Sequence, residues 1–297
     1  MLPAHGWGHA WADVTGDRGP EPGAEPLRIE NAATRSQDRV YERFIAGDVD
    51  AARSLYADDF RWEDRRRGLR YDSTSADDGF DASVRSFAEL GVASTRFTSL
   101  AVRGDRLALV RAHMTTRERY EIELIIVVEV SPDGRFLSVV TLDADALAEA
   151  AAELDGRFLG AGNDTPALRL MVAYVNAYNS RDALQLQDLQ ADDFRMVDHR
   201  PAGAGELDRD AARQYVETLW ELLPRFCMYA ERIVRLDSDG GLLTLRTVAE
   251  TADGGPIEIH VAVLAKLDGD GSRVRRFEIF AIEELAAAER RYDELMS

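Results

Sequence analysis

Ala57-Asp58-Asp59-Phe60-Arg61-Trp62-Glu63-Asp64-Arg65-Arg66 returns 134 residues later as Ala191-Asp192-Asp193-Phe194-Arg195-Met196-Val197-Asp198-His199-Arg200. Two stretches at a constant offset mean one folding unit written twice. As a strand, each copy alternates its side chains between two faces. Phe60, Trp62, Asp64 and Arg66 fall together, as do Phe194, Met196, Asp198 and Arg200, while Arg65 and His199 turn the other way. A carboxylate and a guanidinium after an apolar pair, on one face, are costly to bury unless they match each other or serve a site.

Working outward, the same order of elements surrounds both copies. In the first unit a helical pattern from Asn31 (Val40, Phe44, Ile45) breaks at Gly47-Asp48, and a short helix runs through Leu55 and Tyr56 into the Asp64 strand. A polar loop and a helix around Val84, Phe87 and Leu90 follow. Strand-like runs then cover 96–102, 107–115, 120–130 and 136–142, with turns at Gly104-Asp105 and Pro132-Asp133-Gly134. The second unit has helices over 167–179 and 208–223 and strands over 228–237, 242–251, 257–267 and 274–280. Alanine-rich amphipathic helices, 144–158 and 282–296, close the two units. Helices grouped before an antiparallel meander predict an α+β fold: two tandem cone-shaped domains, each with N-terminal helices packed on a curved, mostly antiparallel sheet. The expected boundaries are a Gly/Pro-rich flexible lead-in over 1–27, a first domain over 28–160 and a second over 161–297.

Composition narrows the function. A net charge of −18 argues against a grip on nucleic acid or anionic membrane. Lys266 is the single lysine, so Schiff-base chemistry has one candidate position. Cys227, the single cysteine, lies in an apolar run and reads as a core residue, which fits a reducing cytoplasm. No run of apolar residues is long enough to span a bilayer. His5 and His9 have the spacing of a metal pair but no neighbouring ligand, and Asp72–Asp81 and Asp268-Gly269-Asp270-Gly271 read as turns, so neither metal nor cofactor is expected.

The run Gly47-Asp48-Val49-Asp50-Ala51-Ala52-Arg53-Ser54-Leu55-Tyr56-Ala57-Asp58-Asp59, followed by Glu63-Asp64, resembles the start of ketosteroid isomerases. More broadly it resembles the SnoaL-like, nuclear transport factor two-like superfamily. That resemblance implies a general base at Asp64 and, through the offset, at Asp198. It puts the family's tyrosine donor at Val40 in the first unit and at Tyr174 in the second. The partner carboxylic acid falls on the apolar Ile126 and Val263, so full steroid-isomerase machinery is not implied for either unit. A branch resembling limonene epoxide hydrolase uses Asp and Arg to activate water, and polyketide cyclases of the SnoaL type need one acid–base group in an apolar cavity. Cyclase, isomerase and hydrolase all stay open. Because superfamily members pair through their sheets, the resemblance also implies a monomer whose two units imitate a dimer.

The leading expectation is a cytoplasmic, cofactor-independent acid–base catalyst acting on a small apolar molecule with a polar handle. Asp198 is its base, with Tyr174, His199 and Arg200 as donors or orienters, and Asp64 with Arg66 form a corresponding or degenerate first site. Trp62, Met196, Tyr178, His113 and His260 are the expected substrate contacts. His199 reaches the cavity only if a bulge rotates it, and His113 and His260 read equally as core or rim residues. An arginine beside each aspartate suits a base and a structural bridge equally. The rival expectation is a non-catalytic small-ligand-binding or pairing module, the C-terminal part of a larger regulatory protein.

Overall fold

The computed structural model describes residues 29–297. The expected lead-in, with His5 and His9, lies outside the described residues. The first unit runs α1 (Ala32–Ile45), α2 (Val49–Arg53), β1 (Tyr56–Asp64), β2 (Tyr71–Asp72), α3 (Ala76–Glu89), β3 (Val92–Arg103), β4 (Leu107–Thr116), β5 (Glu121–Val130), β6 (Phe136–Asp143) and α4 (Leu147–Phe158). The second repeats it as α5 (Pro166–Asn179), α6 (Ala183–Asp188), β7 (Gln190–Asp198), β8 (Gly205–Asp208), α7 (Arg209–Leu222), β9 (Arg225–Leu236), β10 (Gly240–Glu250), β11 (Pro256–Leu267), β12 (Val274–Ala281) and α8 (Leu285–Met296). The compact units divide between Asn163 and Asp164.

Each unit holds one six-stranded sheet, ordered β2-β1-β6-β5-β4-β3 in the first and β8-β7-β12-β11-β10-β9 in the second. The β1–β6 and β7–β12 pairs are parallel; the other pairs are antiparallel. The α+β class and the tandem repetition expected from the sequence are therefore found. The edge strands β2 and β8 were not expected: at two and four residues they are too short to show a period. The short helix also stops at Arg53, because Tyr56 joins the ladder opposite Phe136.

Local chemistry sets the helix ends. Asn31 accepts the Thr34 N–H while the Thr34 hydroxyl accepts the Asn31 N–H, both at 3.0 Å, a reciprocal cap on α1. The Asn31 amide also donates to the carbonyls of Gly104 and Leu107, which anchors the helix start to the β3–β4 turn. At the far end of α1, Gly47 takes a φ of 72°. The matching position in the second unit is Arg181, at φ 56°, and its guanidinium holds the carbonyls of Leu223 and Pro224.

Helices cover one sheet face and enclose a hollow, while the closing helix covers part of the other. Tyr56 packs edge-on against Phe60 and Phe80, with centroids 4.6 and 4.9 Å apart, beneath α1 and α3. Behind the second sheet, α8 buries Ala288 and Tyr292 against Leu242, Leu264 and Phe280. A strand buried on both faces reads as an unbroken apolar run, as 261–265 in β11 does. Among the described residues no helix is long and apolar enough to cross a membrane.

Candidate active site

The second unit encloses a cavity of about 110 Å³ between α5, α7 and the inner face of the sheet. Its wall is apolar over most of its extent, with Met196, Trp220, Met228, Val263 and Phe277 contributing. Polar groups converge at one end. Arg200 lines the cavity there, with Tyr215 beside its guanidinium and Tyr178 near enough to feel its charge. Tyr174 receives a 3.0 Å hydrogen bond from the Gln190 amide and stacks on Phe277. Burial pushes the Tyr174 phenol up to about 12, against the opposing pull of Gln190. Burial likewise raises Tyr178 and Tyr215. At neutral pH all three phenols are donors.

Asp198 stands behind this cluster with a fully buried side chain. Its carboxylate accepts four hydrogen bonds: from Arg200 Nε (2.9 Å) and Nη2 (2.7 Å), from the Arg200 backbone N–H, and from the Ala204 N–H. Burial alone would raise its proton affinity. The Arg200 fork and the backbone donors outweigh burial and hold the carboxyl below its ordinary range. Asp198, the expected base, is here a saturated anion of lowered proton affinity, and it is the guanidinium that lines the hollow.

Gly203 closes over the carboxylate, donating its N–H to Arg200 O at 2.9 Å. A Cβ on Gly203 falls 2.4 Å from the Asp198 carboxyl carbon. Gly203→Ala is expected to lower stability by about 1–3 kcal/mol through overpacking, read by thermal unfolding. An unchanged melting temperature would show that the lid is not seated on Asp198.

The three expected histidines all sit outside the cavities, and strand alternation is the reason. The His199 N–H donates to Ile279 O at 2.9 Å, so the ladder continues without the bulge that would turn the ring inward. The ring stacks on Phe280 with a 4.3 Å centroid separation and bonds Glu278 at 2.7 Å, on the face opposite the cavity-lining Phe277 and Ile279. His113 neighbours the cavity-lining Met114 and therefore turns away, 3.7 Å from Glu121. His260 lies between the cavity-lining Ile259 and Val261 and bonds Glu231 at 2.8 Å on the outer face.

That Glu231 belongs to a buried outer-face cluster. Burial would raise it, but His260 and Arg246, the latter at 2.6 Å, outweigh burial and bring it down to about 2. A depressed carboxylate contributes stability above its ordinary value of 4.5 and loses that contribution as pH falls toward 2. Glu231→Gln should therefore flatten this part of the acid-unfolding curve measured by circular dichroism. An acid limb identical to the parent's would refute the assignment.

In the first unit Asp64 and Arg66 form the same fork, with Nη2 at 2.6 Å from Oδ2 and the carboxylate 4% exposed. Arg66 and Trp62 line a cavity of about 120 Å³, while Asp64 borders an open groove of about 750 Å³ on another side. The groove is larger, but two of its arginines are already paired: Arg65 with Glu63 and Glu153, and Arg67 with Asp143 and Asp145. It is a charged, solvated trough rather than the interior of the cone. Val40 lines the first cavity where Tyr174 lines the second. Thus Tyr174, Tyr178, Met196 and Arg200 meet around one hollow, and Trp62 and Arg66 around the other. Sequence reasoning missed Tyr215, although its place on the Ala212, Val216, Leu219 stripe of α7 was a readable signal.

A SnoaL-like domain model matches residues 38–139. The first unit is a SnoaL-like domain. The second repeats its element order and sheet topology, so the chain carries two SnoaL-like, nuclear transport factor two-like domains in tandem. No curated protein matches the chain. Solved structures similar to it include BvnE pinacolase from Penicillium brevicompactum, at 14% identity over 45% of this chain and 93% of that one, with a TM-score of 0.37. RV0760c from Mycobacterium tuberculosis in complex with estradiol-17beta-hemisuccinate aligns at 16% identity over 40% of this chain and 96% of that one, with a TM-score of 0.36. PrhC from Penicillium brasilianum aligns at 15% identity over 43% and 91%, with a TM-score of 0.35.

Proposed function

We propose that the second SnoaL-like domain binds a single-ring apolar molecule through one carbonyl-type oxygen, which Arg200 and Tyr215 hold while Asp198 serves as the fixed counter-ion of the arginine. The observation that carries this reading is the orientation of the fork: Arg200 lines the cavity, and Asp198 has both oxygens occupied. Asp198 neutralises the guanidinium, so the handle needs lone pairs rather than a full negative charge. Size sets the ring count. A cavity of about 150 Å³ binds benzene, and about 110 Å³ is of that order, too small for a fused four-ring skeleton. Converged donors at one point also suit oxygen that gains charge during a reaction.

The test is calorimetric titration with cyclohexanone and with methylenecyclohexane, which has the same shape without the oxygen. Preference for the ketone, lost in Arg200→Leu, supports the proposal; equal affinity for both probes defeats it.

Acid–base turnover of isomerase, cyclase or hydrolase type is the second reading, favoured by the contact of Asp198 with the cavity-lining Arg200. A ligand oxygen drawing on Arg200 would loosen the fork and return proton affinity to the carboxylate. Turnover of enolisable ketones, epoxides or activated esters by the parent, abolished in Asp198→Asn with binding intact, would establish it. Turnover unaffected in both Asp198→Asn and Asp64→Asn would remove it.

A further inference from the structure

The two cavities share their fork but not their walls. Registering the sheets on the Asp64–Thr141 and Asp198–Ile279 pairs makes Thr141 the counterpart of Ile279. Continuing across the strands makes Thr95, opposite Met114, the counterpart of Met228, opposite Thr247. Counting from the helix caps Ser75 and Asp208 pairs Ser83 with Val216 and Ser86 with Leu219. All of these residues line their cavities. At four of these five positions the first domain has a hydroxyl and the second an apolar side chain; Met114 and Thr247 reverse the exchange. The phenols also run the other way, since Tyr174 and Tyr178 stand where Val40 and Phe44 do, but the Tyr174 hydroxyl is already held by Gln190.

Polar capacity in the first cavity is thus spread around the wall instead of converging. The side chains of Gln37 on α1 and Ser86 on α3 line it without a hydrogen-bond partner among the described residues. The Thr95 hydroxyl on β3 is buried without one. Thr141 on β6 accepts the Trp62 indole N–H at 3.1 Å, which leaves its own proton to donate. Arg66 directs Nε and Nη2 to Asp64, so Nη1 remains for a ligand. Between these groups stand ring faces, including Tyr41, Phe44 and Phe97.

We infer that the first domain is a second, separate ligand site, for a small ring bearing several hydroxyl groups, a cyclic polyol or sugar-like molecule. Each hydroxyl both donates and accepts, which matches amide and hydroxyl partners on different walls, while the C–H faces of the ring lie against the aromatic side chains. A wall built to hydrogen-bond its ligand rejects an analogue without those groups, because its own polar groups are then left unpaired. The inference shares with the function proposed above only the reading of the Asp–Arg fork as a fixture.

The experiment is calorimetric titration of the full chain with cyclohexane-1,3,5-triol and, separately, cyclohexanone. The parent is expected to bind one triol per chain saturably. Ser86→Leu/Thr95→Met, which copies the second wall into the first, should weaken triol binding at least about tenfold and leave cyclohexanone binding unchanged; Arg200→Leu should leave triol binding unchanged. The reverse exchange, Leu219→Ser/Met228→Thr, should raise the triol stoichiometry toward two, which keeps the test decisive should the first variant not fold. No saturable triol binding by the parent, triol binding indifferent to Ser86→Leu/Thr95→Met, or a folded reverse variant that gains no triol site would overturn the inference. Triol binding without cyclohexanone binding would defeat only the function proposed for the second domain.

Discussion

Arg200→Leu is expected to weaken cyclohexanone binding by about ten- to a hundredfold, since a hydrogen bond to a charged group contributes about 1.5–3 kcal/mol. The same change strands Asp198, whose side chain is fully buried, without its cation. Breaking one side of a buried pair costs about 3–5 kcal/mol, so denaturant unfolding at neutral pH should show a loss of that order. The pH dependence has a definite sign. In the parent the Asp198 carboxyl lies below its ordinary range, so its contribution is complete above about pH 4 and disappears as pH falls through the folded value. In the variant, burial without the arginine raises the carboxyl, and acid relieves the buried charge. Parent and variant should therefore converge in stability as pH falls, the variant recovering above about pH 4 and the parent losing its contribution below it. Arg200→Leu/Asp198→Asn removes both charges and should recover most of the stability without recovering ligand preference. A single variant as stable as the parent at pH 7 would mean that the fork contributes nothing to the fold.

The second large effect lies behind the first sheet. Arg103 and Asp155 join β3 to the closing helix α4 at 2.6 Å, with side chains 1% and 8% exposed. In the second domain the pair that ties β9 to its closing helix is Arg235–Asp293, at 3.2 Å and with side chains 49% and 63% exposed. Burial decides the outcome, although both are ion pairs between strand and helix. Asp155→Ala removes the buried carboxylate that faces the Arg103 guanidinium and should cost about 3–5 kcal/mol. Asp293→Ala should change stability by less than about 1 kcal/mol. Chemical unfolding of the two variants side by side checks this, and equal losses would contradict the argument.

What the sequence disclosed followed from periodicity. The duplicated Phe-x-Trp/Met-x-Asp-x-Arg strand announced the tandem repeat, the shared face and the buried charge pair, because a side-chain period of two is visible in ten residues. The same alternation correctly sent His199 to the outer face, and the bulge invoked to bring it back is absent. Which member of the Asp–Arg pair meets the cavity was not legible. It depends on how the chain turns after the strand, where Gly203 and the Ala204 N–H pin the carboxylate from behind. For Tyr215 the helix stripe was readable but its role was not: a phenol on an apolar stripe looks like core until Arg200 is seen beside it. The contrast between the two cavities needed the sheet registers, since Thr95 and Met228 correspond only through their cross-strand partners.

The most direct measurement is the isotope-edited infrared spectrum of carbonyl-¹³C cyclohexanone bound to the protein. If Arg200 and Tyr215 hold the oxygen, the carbonyl band lies at or below its frequency in water and returns toward its frequency in hydrocarbon in Arg200→Leu. A band at the hydrocarbon position in the parent, or one unmoved by the loss of Arg200, would contradict the account.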